Sequence, residues 1–185
     1  MKPFTRVAPT ATLTAALAAT LTACTLTPKS GTEVALREVL DTHAGQYECL
    51  DYQAASDSCK ALGRSVVYGD DVITTSLFAF DEGLPAQIKV VSRHKLEGAA
   101  LCGLTAPIKI TVTSQGTPRA NQAIKELFAK TFNDSIPNLC TRYYRDGSGD
   151  RYINITTDLQ GTPVPDSAVK ARFFDEQKNL RITKL

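Results

Sequence analysis

Pro107-Ile108-Lys109-Ile110-Thr111-Val112-Thr113 decides how the fold is read. Ile108, Ile110 and Val112 alternate with Lys109, Thr111 and Thr113, giving a strand one apolar and one polar face. Just beyond it, Thr117 is a good N-cap and Pro118 suits the first helical position, where no amide donor is needed. Ala120, Ile124, Leu127, Phe128 and Phe132 then recur at helical spacing, with Arg119, Asn121, Gln122, Lys125 and Glu126 mostly elsewhere. The spacing predicts a main helix over about 118–132 whose stripe is core packing. Asn133-Asp134-Ser135 and Pro137 stop it.

Working outward, further extended segments are bounded by turn residues. Arg64–Tyr68 precedes Gly69-Asp70-Asp71, and Val72–Phe80, rich in β-branched residues, precedes Asp81-Glu82-Gly83. Ala86–Lys95, Leu139–Arg145, Arg151–Thr157, Val169–Asp175 and Leu180–Lys184 also read as strands, and Gln46–Tyr52 looks extended. Near the front, Ser30 or Thr32 can cap a short helix from Glu33 to about Asp41, with Leu36, Val39 and Leu40 on one side and Gly45 ending it. Many antiparallel strands with one main and one minor helix predict an α+β, β-rich domain. A curved sheet or partial barrel packs on the helix.

The chain has 185 residues, 43% hydrophobic and 22% charged, enough for one domain with its own core. It is too apolar and too balanced in charge to be disordered, and it has neither a collagen period nor a toxin's cysteine density. Lys2 and Arg6 precede an uncharged run, Val7–Ala23, rich in Ala and Thr, which falls short of the roughly 20 strongly apolar residues of a membrane span. The run ends in Leu21-Thr22-Ala23-Cys24. In this order of charge, apolar run and box, the first 24 residues resemble a bacterial lipoprotein precursor.

The resemblance implies removal of residues 1–23, thioether lipidation of Cys24, and acylation of the new amine with a palmitate-type chain. Two or three acyl chains anchor stably where one does not. Thr25 follows the cysteine in place of the Asp that marks inner-membrane retention, so the expected location is the outer membrane, facing the periplasm. Residues 24–31 then form the lipidated tether and 32–185 a single periplasmic domain. Taking Lys2 and Arg6 from 21 basic residues leaves 19 against 19 acidic ones. A neutral mature chain offers no electrostatic case for nucleic acid.

With Cys24 assigned to lipid, Cys49, Cys59, Cys102 and Cys140 remain, an even number that in an exported chain points to two disulfides. Three pairings are possible. Cys49–Cys59, closing a short loop, and Cys102–Cys140, closing a long one around the helix, are preferred. No close Cys pair exists for zinc, His43 and His94 stand at no ligand spacing, and no metal or cofactor is expected.

No catalytic signature stands out. There is no G-x-S-x-G turn, and His94 between Arg93 and Lys95 suits a satisfied surface histidine. Asp146-Gly147-Ser148-Gly149-Asp150 starts like a calcium loop but carries Arg151 and Thr157 where Gly and Glu belong. A five-residue hairpin connection explains the glycines better. With Ser148 at its centre, Tyr144 faces Tyr152 and Arg142 faces Asn154, while Tyr143, Ile153 and Ile155 take the apolar face. Arg142, Tyr144, Tyr152 and Asn154 are therefore the candidate partner-binding patch. The same register sets Arg145 against Arg151, an unrelieved like-charge pair.

The expected function is a lipid-anchored envelope protein with a non-catalytic binding or structural domain. Its partners are the membrane, through Cys24, and an envelope protein or glycan. The alternatives are an envelope-polymer hydrolase, marked by two facing carboxyls, and a carrier of a small apolar ligand, marked by a large interior cavity.

Overall fold

The computed structural model describes residues 31–81, 83–147 and 149–183; Cys24 and the expected leader over residues 1–23 lie outside them. The chain is mostly β. In order come β1 (Glu33–Val34), α1 (Leu36–Thr42), β2 (Tyr47–Leu50), β3 (Ser58–Cys59), β4 (Ala61–Tyr68), β5 (Asp71–Phe80), β6 (Ala86–Glu97), β7 (Ala100–Cys102) and β8 (Lys109–Ser114). Then follow α2 (Pro118–Ser135), β9 (Leu139–Arg145), β10 (Arg151–Asp158), β11 (Val169–Phe174), β12 (Asn179–Leu180) and β13 (Ile182–Thr183).

Eight of these strands close a barrel. Each of β2, β4, β5, β6, β7, β9, β10 and β11 pairs antiparallel with the next, and β11 returns to β2 through Ala171 opposite Leu50 and Phe174 opposite Tyr47. The expected partial barrel is thus complete, and full closure leaves the ring no free edge. Its strands follow chain order with one insertion, β8 and α2, between β7 and β9. β6 is long enough to serve both: Ala86–Val91 pairs with β8, and Lys95–Glu97 with β7.

The deciding strand lies in that insertion. Ile110 is buried, and Ile108 and Val112 pack with it on one side against Ile124, Phe128 and Phe132 of α2, together with Ile88 and Phe80. Thr117 caps α2, its hydroxyl accepting from the Ala120 amide at 3.2 Å. The helix runs to Ser135, a little past its expected end, and lies on the sheet with none of its residues fully buried. Leu127, assigned to the buried stripe, is 61% exposed, because it falls at the outer margin of the face that meets β8.

The front of the chain differs from expectation. Glu33–Val34 is a strand on β9, and the helix begins only at Leu36, behind Ala35, with no side-chain cap. Val34 is buried with Leu36 and Val39 among Tyr143, Tyr152 and Ala171, so pairing with β9 and burial outweigh the nearby capping residues. α1 in this way plugs the barrel with Leu36, Val39 and Leu40.

Both disulfides have the preferred pairing, Cys49–Cys59 and Cys102–Cys140. The first is fully buried with Leu62 beneath Phe174 and Leu180, where β12 runs parallel to β3. The second joins directly opposed residues of β7 and β9, bracketing the inserted β8 and α2. No helix among the described residues is long and apolar enough to cross a membrane.

Candidate functional site

The hairpin patch does not assemble. Arg145 stands opposite Tyr152, Tyr144 opposite Ile153, Tyr143 opposite Asn154 and Arg142 opposite Ile155, one residue off the expected register. The cause lies at the turn. The Asp146 amide donates to the Arg151 carbonyl at 3.0 Å, so Asp146 joins the ladder and the connection shortens to 147–150. Gly147 and Gly149, at φ +78° and +83°, supply the left-handed conformations this tighter turn needs.

Because side chains alternate, one step of slip turns β9 over relative to β10. Tyr152, only 2% exposed, and Asn154 share the inner face with Tyr143, while Arg142 and Tyr144 share the outer face with Ile153 and Ile155. Arg142 is held by Glu33 at 2.6 Å. The Arg145–Arg151 clash is absent: Arg145 pairs with Glu38 at 2.7 Å and lies 5.8 Å over the Tyr152 ring. Arg151 faces Arg172 instead.

The inner faces line a partly open cavity of about 250 Å³, room for roughly eight waters or one small organic molecule. Its walls follow the period of two expected of inward residues: Glu48 and Leu50 from β2, Thr74, Ser76 and Phe78 from β5, Val90, Ser92 and His94 from β6. Leu139, Thr141 and Tyr143 come from β9, with Asn154 and Thr156 from β10. Leu36 and Leu40 of α1 line it as well, as do Phe132 of α2 and Ile136 just after it. Hydroxyls and aliphatics therefore alternate around one interior space.

Glu48 is the one acidic side chain among the described lining residues. Its Oε1 accepts from the Tyr143 hydroxyl at 2.5 Å, and the Asn154 amide donates to the same Tyr143 oxygen at 3.0 Å. Burial raises the Glu48 carboxyl above its ordinary range, and the hydrogen bonds from Tyr143 and Asn154 work against that. The same burial, with Glu48 beside it, pushes the Tyr143 phenol well up. Opposite Glu48 on β4 is Gly63, where a Cβ would come 3.1 Å from Oε2. Glycine at this position leaves the carboxylate its place.

His94 also points inward, contrary to the surface position expected between two cations, because β6 alternates and Arg93 and Lys95 take the outer face. Its Nδ1–H donates to the Gly103 carbonyl, leaving Nε2 to accept from Ser92 Oγ at 2.7 Å. Burial lowers its pKa, opposed by the Gly103 carbonyl, so the ring is kept neutral. His43, at the end of α1, is buried and stacked on Phe173 with centroids 4.0 Å apart. Its ring nitrogens meet Gln46 at 2.7 Å and Tyr152 at 3.1 Å. Among the described residues no three His, Cys, Asp or Glu side chains converge as a metal site would require.

Sequence reasoning missed Glu48. The available signal was its spacing from Leu50: two residues apart on one strand, an acid shares the face of a buried-type leucine. Compared with known proteins, the chain matches no family model, no curated protein and no solved structure.

Proposed function

We propose that this chain is a lipid-anchored envelope protein, held at Cys24 in the outer membrane and facing the periplasm. Its barrel binds one small organic ligand inside and performs no chemistry on it. The anchor reading is supported by Leu21-Thr22-Ala23-Cys24 behind a charged and uncharged leader. The binding reading is carried by one observation: a cavity within the closed barrel where apolar walls and a few converging polar groups meet, the makeup of a small-molecule site. Paired disulfides and a helical plug hold those walls in place, so little ordering cost falls on the ligand.

A hydrolase acting on envelope polymer would need a second carboxyl facing the first across the site. Glu48 has no such neighbour among the described lining residues, so the geometry supports binding over acid–base cleavage. The polar fraction of the wall likewise favours an amphiphilic ligand over a wholly apolar one.

The test is a titration of the mature protein with benzyl alcohol, followed by amide NMR signals. Saturable shifts at Leu50, Ser76, Ser92 and Thr141, which line the cavity, are the expected result. Shifts confined to outward residues such as Arg64 and Lys89, or absent with benzyl alcohol and with its amine and acid analogues alike, overturn the binding reading.

A further inference from the structure

We infer that the ligand carries a cationic amine and that Glu48 is its counter-charge, an inference that rests on the binding reading above. The described lining residues include one carboxyl and no lysine or arginine to balance it. None of the ion pairs among the described residues involves Glu48, and its partners are the neutral Tyr143 and Asn154. The other titratable lining groups are Tyr143 on β9 and His94 on β6; His43 and Glu48 both line the small pocket at the end of α1, where the His43 ring nitrogens are engaged by Gln46 and Tyr152. His94 is turned toward Gly103 and Ser92, and burial lowers its pKa, which disfavours its cationic form.

A carboxylate partly withdrawn from water with no opposite charge beside it is costly, and the cost is relieved by an opposite charge brought into contact. The surroundings preserve Glu48 for such a contact. Gly63 leaves space for the carboxylate on the neighbouring strand, and the Tyr143–Asn154 chain holds one oxygen in place. An ammonium needs several acceptors around it; beside Glu48 the same lining offers the hydroxyls of Ser65 and Ser76. Leu50, Phe78 and Leu101 provide apolar surface for the ligand's body. The volume limits that body to a few carbon atoms or a single ring.

Benzylamine, benzyl alcohol and benzoate share one ring and differ in their head group, so their affinities for the mature protein isolate the charge. Benzylamine is expected to bind at least about tenfold tighter than either of the others. Glu48→Gln, which keeps the shape and still accepts from Tyr143, is expected to bring benzylamine down to the level of the alcohol while leaving the dispersed amide spectrum intact. Equal affinity for alcohol and amine, tighter binding of benzoate, or an amine affinity unchanged in Glu48→Gln overturns the amine assignment and leaves the binding cavity standing. Failure of all three probes overturns both. If Glu48→Gln does not fold, the comparison of the three probes on the native sequence still decides the matter.

Discussion

At the scale of single residues, the barrel interior holds two groups with opposite responses to acid. Glu48, with its folded-state pKa raised by burial, contributes stability that is present below the ordinary glutamate value and lost as pH rises through the raised one. His94, lowered by burial, contributes stability present above the ordinary histidine value and lost as pH falls through the lowered one. Urea unfolding of the native chain and of Glu48→Gln at about pH 4 and about pH 8 separates them. The native chain is expected to lose stability relative to Glu48→Gln on going to the higher pH, and a relative gain would contradict the raised Glu48 pKa. At this scale the sequence was least legible. A symmetric turn would place Arg142, Tyr144, Tyr152 and Asn154 on one face, and a single hydrogen bond from the Asp146 amide to the Arg151 carbonyl puts them on two. Register at a glycine-rich turn depends on which residue closes the ladder, and composition alone does not say so.

Among the elements, β8 and α2 were legible because both carry a clean one-sided pattern, and the caps at Thr117 and Pro118 mark the boundary. β5 was legible only as extended chain. Its inward residues, Val72, Thr74, Ser76, Phe78 and Phe80, are no more apolar than the outward Ile73, Leu77 and Ala79, since a lined cavity replaces part of the core. β7 was missed altogether. It is three residues long and meets β9 through only two pairs, Leu101–Thr141 and Cys102–Cys140. This is the narrowest seam of the ring, and the disulfide lies within it. In the chain-entropy picture a bridge across 38 residues contributes about 4 kcal/mol and one across 10 about 3. Replacing Cys102 and Cys140 with serine is therefore expected to cost more stability than replacing Cys49 and Cys59. Amide exchange at Leu101 and Thr141 should also accelerate first. An equal or smaller loss, with those amides still protected, would show that the seam holds without its bridge.

For the whole molecule, closure comes from β11 pairing with β2, partners separated by most of the domain. No local pattern announces a contact of that range, so the sequence reached a curved sheet and stopped short of a closed ring. The expected leader rests on the opposite kind of signal: charge, apolar run and Leu21-Thr22-Ala23-Cys24 are contiguous and local. Under the anchor reading, a tether over 24–31 reaches at most about 30 Å. The barrel would then stay close to the bilayer, with β1 fixed on β9 beside the hairpin. The measurement that bears most directly on a lipid-anchored binding barrel is the intact mass of the protein extracted from native envelopes in detergent. The expected product is a chain beginning at Cys24 that carries ester-linked and amide-linked acyl mass. A mass matching an uncut leader, or a first residue free of lipid, would contradict it.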